Sequence, residues 1–136
     1  MSGYLNIHTF YNNIAQRNFQ YLSAIYSDQD ALVGAIENLT KEHLNQETLQ
    51  GKNILIKPNW VKHSSVPEDE FCLRTHNKFI VAALKVLLKM SPAQIVIGDA
   101  PIQMTKWDEM LSPDFLGEIT RLSKESNVAV SIIDFR

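Results

Sequence analysis

The sequence predicts an α/β fold: three layers, with a short, mostly parallel sheet, crossover helices and an added amino-terminal helical segment. Two observations carry this expectation. Three short apolar runs, Ile54-Leu55-Ile56, Ile95-Val96-Ile97 and Val130 to Ile133, are separated by helix-length amphipathic segments. Uninterrupted Ile/Val/Leu runs of this kind are what strands buried on both faces by crossover helices look like. Each run also leads into polar residues: Lys57-Pro58-Asn59-Trp60, Gly98-Asp99-Ala100-Pro101, and Asp134. Ligands of open α/β sheets bind beyond the carboxyl ends of the strands, so these clusters mark where a site belongs.

Taken in order, the first element is a helix from Tyr4 to Tyr26, a stretch free of Pro and with no Gly after Gly3. Ile7, Tyr11, Ile14, Leu22 and Ile25 recur there at helical steps or their multiples. Tyr4, Phe10, Tyr11, Phe19, Tyr21 and Tyr26 crowd into the same segment, which reads as a packing or self-association surface. Residues 1–26 thus form one unit and 27–136 an α/β domain. Ser27 with Asp30 resembles a capping box, and Leu32, Val33, Ile36, Leu39, His43 and Leu44 make the stripe of a second helix, to about Asn45. Gly51 marks the turn into the first strand. Trp60 to Arg74 is a long loop, and Thr75 is the expected cap of a helix facing inward through Ile80, Val81, Leu84, Leu87 and Leu88. Ser91-Pro92 stops it. A second long loop after Asp99 reaches Ser112-Pro113, a capping serine with proline at the first helical position, and Asn127 ends that helix. The order makes three parallel strands joined by two right-handed crossovers. The last strand runs out at Asp134-Phe135-Arg136 with nothing after it to cover the sheet. A longer parent polypeptide, or a second subunit over the open edge, is therefore expected.

Bulk properties narrow the function. A formal charge of -2, a pI near 6.1 and the absence of a basic run give no electrostatic basis for binding nucleic acid or an anionic membrane. No stretch approaches the roughly 18 to 20 apolar residues of a membrane span, and no charged segment followed by an apolar core opens the chain. A soluble, cytoplasmic protein is expected. The single Cys72, set between Phe71 and Leu73, reads as a buried thiol and has no partner for a disulfide or a CxxC pair.

The candidate site residues follow from the strand ends. Lys57 leaves its strand where Pro58 ends the ladder, and with Asn59 it could hold a carboxylate or phosphate. Thr75-His76 opens a helix whose unpaired amides favour an anion, with Arg74 just outside as a clamp. His76 and Asp99 are the candidate proton-transfer groups, with His63 a weaker one. Gly98 is expected to let the chain turn sharply and deliver Asp99 beside Lys57. Each also has a plain structural reading, as a turn, a cap or a solvated side chain. Asp99, His76 and His63 match no compact metal motif, so no metal and no cofactor are expected. Gly98-Asp99-Ala100-Pro101 lacks the further glycines of a dinucleotide loop, and no Gly-x-Ser-x-Gly elbow is present.

Three motifs in order, Ile54-Leu55-Ile56-Lys57-Pro58-Asn59-Trp60, Thr75-His76 and Ile95-Val96-Ile97-Gly98-Asp99-Ala100-Pro101, resemble the family catalogued as domain of unknown function 362 over about residues 50 to 102. In that family a proline usually follows the histidine, where Asn77 stands in this chain. The resemblance implies a domain longer than these 136 residues. Many relatives carry ferredoxin-like modules for iron–sulfur clusters, whose cysteines this sequence lacks. The strand-end layout is also similar to the amino-terminal domain of nickel-pincer lactate racemases, an analogy of fold alone.

Three functions are consistent with these features. The leading one is binding of, or proton transfer on, a small anionic metabolite. The others are a noncatalytic interaction domain acting through the aromatic helix, and an accessory part of an iron–sulfur redox protein.

Overall fold

The computed structural model describes residues 25–66 and 73–136. Each apolar run forms a strand: β1 (Asn53–Ile56), β2 (Gln94–Asp99) and β3 (Ala129–Asp134). They make one parallel sheet in the order β1-β2-β3, with Ile56 opposite Ile97 and Ile97 opposite Ile132. The helices are α1 (Gln29–Thr40), α2 (Gln46–Leu49), α3 (Asn77–Leu88), α4 (Trp107–Met110) and α5 (Pro113–Ser126). The protein is therefore a small α/β fold, with α3 and α5 as its crossovers.

Strand residues alternate between two faces. Ile54, Ile56, Ile95, Ile97, Val130 and Ile132 share one, where Ile80, Val81 and Leu84 of α3 and Phe115, Ile119 and Leu122 of α5 close the core. α1 adds a third layer. Its Leu32, Val33 and Ile36 pack on Ala82 and Val86, two residues on from Ile80 and Leu84 and so about 200° round α3.

Burial on both sheet faces is not found among the described residues. Leu55 is 59% exposed, Ile133 41% and Phe135 45%, and Val96 lies between them on the same side. The cause is the strand order. Both connections step in the same direction, so right-handed crossovers put α3 and α5 on one face, and only a reversal of direction would place a helix on the other.

Local chemistry shifts some boundaries. Asp28, not Ser27, caps α1, accepting from the amides of Asp30 and Ala31. The helix ends at Thr40 instead of near Asn45, leaving Leu39 and His43 exposed. Asn45 starts the short α2, in a capping box with Thr48. Other punctuation is as expected. Gly51 takes φ +67, Ser112 caps α5 with Pro113 in the first turn, and Asn127 closes it in the left-handed region. The expected helix over Tyr4 to Tyr26 lies outside the described residues except for its end, where residues 25–27 are helical. No helix among the described residues is long and apolar enough to cross a membrane.

Candidate functional site

Parallel pairing of β1 with β2 brings Lys57 and Asp99 to adjacent strand ends. Lys57 Nζ lies 2.8 Å from Asp99 Oδ1. The same carboxylate accepts the Trp60 amide on Oδ2 and the Ala100 amide on Oδ1, both at 2.8 Å. Burial of Asp99 would raise its pKa, but the Lys57 ammonium and the two backbone amides outweigh it and hold the carboxyl below its ordinary value. A carboxylate with three donors is held in place and charged. It fixes the turn after β1 and orients the lysine.

An apolar anchor lies beneath this ledge. The Trp60 indole is buried edge-on against Trp107, with centroids 5.5 Å apart, and against Phe115 at 6.3 Å. Its backbone faces the site while its side chain joins the core. The following loop is closed at its neck by a short antiparallel ladder. Thr75 N donates to Asn59 O at 2.8 Å, Asn59 N to Thr75 Oγ1 at 2.9 Å, and Trp60 bridges Arg74. Asn59 is exposed two residues from Lys57, whose side chain is 65% exposed.

This ladder redistributes the expected roles. Thr75 spends its hydroxyl on Asn59, so it does not cap α3. His76 does, its Nδ1 accepting the Lys78 amide at 3.1 Å while the ring meets Tyr26 edge-on at 5.2 Å. The Arg74 guanidinium donates to the Met110 carbonyl, tying the loop to the end of α4. His63 Nδ1 accepts the Lys106 amide, and its Nε2 stands 3.4 Å from the Glu109 carboxylate. Lys57 is thus bound to Asp99 and Asn59 to Thr75, the two pairs meeting along the chain at Trp60, whereas the bonds from Arg74 to Met110, His76 to Lys78 and His63 to Lys106 serve other joints. A groove of about 360 Å³ between the starts of α3 and α5 is lined by His76, Asn77 and Lys78 and by Asp114 and Glu118, two carboxylates against one lysine.

Gly98 acts differently from expectation. It lies inside β2 and makes no turn; a Cβ there would fall 2.6 Å from the Ile133 carbonyl oxygen and 2.6 Å from Phe135 Cζ. Close approach of β3 requires the glycine. Asp134, opposite Asp99 in register, is paired with Arg136 (Nη2 to Oδ2 2.5 Å). Arg136 also donates to the Thr105 carbonyl at 3.0 Å, holding the loop after β2. Sequence reading overlooked Arg136 and the amides of Trp60 and Ala100, because backbone donors and a terminal cation carry no motif. Among the described residues no group of three His, Cys, Asp or Glu is arranged to hold a metal.

Fold and ledge together define a small parallel α/β domain that presents an anchored cation at the strand carboxyl ends. No family model, no curated protein and no solved structure matches the chain.

Proposed function

We propose that the ledge binds a small anion, a carboxylate or phosphate group of a metabolite, in a cytoplasmic protein. Lys57 and Asn59 contact the anion and Asp99 is a positioning residue. One observation carries this reading: the Lys57 ammonium is anchored by a buried carboxylate yet 65% exposed, using one of its three N–H donors on Asp99. The resemblance of the strand-end motifs to domain of unknown function 362 supports the same location. Binding is favoured over proton transfer because Asp99 already accepts three hydrogen bonds and His76 uses Nδ1 as a cap.

Thermal unfolding in matched ionic strength tests the proposal, with phosphate, acetate, lactate and citrate as probes. A ligand at 100 times its Kd stabilises the folded state by about 2.7 kcal/mol. The upward shift should disappear in Lys57→Ala and survive in Lys57→Arg. Equal shifts in all three proteins would overturn it.

A further inference from the structure

The two edges of the sheet differ. In the order β1-β2-β3, both β1 and β3 leave one row of backbone groups unpaired by the sheet. β1 is flanked by Lys52, Lys57 and Pro58, residue types that ordinarily keep an edge from pairing, whereas Ala129 to Ile133 contain no charge, no Pro and no bulge. The ladder shows which groups of β3 face outward. Phe135 N donates to Asp99 O, so the odd-numbered residues face β2, and Val130, Ile132 and Asp134 turn their N–H and C=O groups away from the sheet. Ser123 of α5 claims one of these, its Oγ accepting from Val130 N at 3.2 Å. Among the described residues nothing pairs with Val130 O, Ile132 N, Ile132 O or Asp134 N.

We propose that β3 receives an added parallel strand, an extended segment of a partner polypeptide in which a large apolar residue is followed by a basic one. The four unpaired groups select the direction. In a parallel strand the first residue donates to Val130 O and accepts from Ile132 N, and the third donates to Ile132 O and accepts from Asp134 N. An antiparallel strand centred on Ile132 would instead set a carbonyl against the Val130 amide, which Ser123 already holds. The second residue lies level with Ile132, so its side chain turns to the helix-covered face. A groove of about 420 Å³ opens there, lined among the described residues by Trp107, Asp108, Leu111, Pro113, Leu116 and Ile132. Leu116 is 38% exposed, and a leucine or phenylalanine of the partner would take its apolar surface out of water. Charge selects the next residue. Asp108 is exposed, with no ion pair among the described residues, and it precedes α5, which runs against the strands and so begins at their carboxyl ends. A Lys or Arg after the apolar residue complements this carboxylate. Strand addition with alternate side chains in pockets is a general mode of peptide recognition. The contact does not depend on anion binding at Lys57.

Amide exchange followed by NMR on the full chain, with acetyl-Ser-Thr-Val-Leu-Val-Lys-Ser-amide as the probe, tests the contact. At saturation, exchange at Ile132 and Asp134 should slow by at least about tenfold, while Val130 keeps its rate. Leucine to alanine in the peptide should weaken binding by at least about tenfold, in line with burial of the side chain. N-methylation separates the directions. Methylating the two valine nitrogens removes the donors to Val130 O and Ile132 O and should abolish binding, whereas methylating the leucine nitrogen, which faces away from β3, should leave it intact. Ile132→Pro removes the outward donor at an edge position that tolerates proline, and should also abolish binding. The peptide variants decide the matter even where that protein does not fold. No binding at about 1 mM peptide would overturn the proposal. So would loss of binding on methylating leucine in place of valine, or an Ile132 amide already protected in the free protein. Light scattering that shows a dimer lost in Ile132→Pro would likewise overturn it, by making a second copy the occupant.

Discussion

Lys57 and Asp99, 42 residues apart in sequence, form the ion pair that joins the ends of β1 and β2, with Nζ and Oδ1 2.8 Å apart. The two partners are unequal. Asp99 is buried and accepts two amides besides, whereas Lys57 is largely in solvent. Asp99→Asn should cost about 1 to 3 kcal/mol, because an amide has only one acceptor oxygen for three donors. Lys57→Ala should cost less than about 1 kcal/mol, in line with exposed pairs. Urea unfolding at pH 7 separates the two; equal losses would contradict this asymmetry.

The same pair sets an acid limit. The folded-state pKa of Asp99 is lowered from 3.8, so the unfolded chain takes up a proton first as pH falls. Its contribution is complete above the unfolded value and is lost as pH drops through the lower, folded one. Asp99→Asn should therefore flatten the decline of stability below about pH 4. Parallel acid limbs for the two proteins, measured by urea midpoints, would show that Asp99 does not govern it.

Gly98→Ala should destabilise by about 1 to 3 kcal/mol, the usual cost of overpacking, since its Cβ meets a backbone oxygen at 2.6 Å. Phe135→Ala in the same chain removes only the ring half of the clash. A partial rescue in denaturation midpoint is the expected result.

His76→Ala removes the cap of α3 and should cost about 0.5 to 2 kcal/mol, with His76→Ser or His76→Asp recovering much of the loss. Thr75→Ala should instead loosen the loop neck, because its hydroxyl accepts the Asn59 amide. Amide exchange at Asn59 and at Lys78 reads the two effects independently.

Trp60→Ala should cost about 3 to 5 kcal/mol as a buried large-to-small change. Trp60→Phe should retain most of the stability yet lose the near-ultraviolet circular dichroism of the Trp60–Trp107 pair, whose rings cross at 78°. An unchanged aromatic spectrum would mean that the two rings are not coupled.

Much of the domain was legible because its signals are local. The apolar runs at Ile54, Ile95 and Val130, the Ser112-Pro113 start and the Asn127 end each follow from a few neighbouring residues. Adjacency of Lys57 and Asp99 was readable too, since sequential strands in βαβ units commonly pair. The cap of α3 was not. Thr75 and His76 are both able caps, and the choice fell to His76 because Asn59, 16 residues earlier, claims the Thr75 hydroxyl. Gly98 was misread for a similar reason: its neighbour in space is β3, 35 residues on.

The sequence alone determined the α/β class, the three strands and the position of the polar ledge, because periodicity, caps and breakers act within a few residues of themselves. Only the tertiary structure decided that α3 and α5 share one sheet face, that Asp99 gathers three donors and that His76 caps α3. Those outcomes depend on which distant donor, backbone or helix arrives at each position, and single-residue preferences do not encode that arrival.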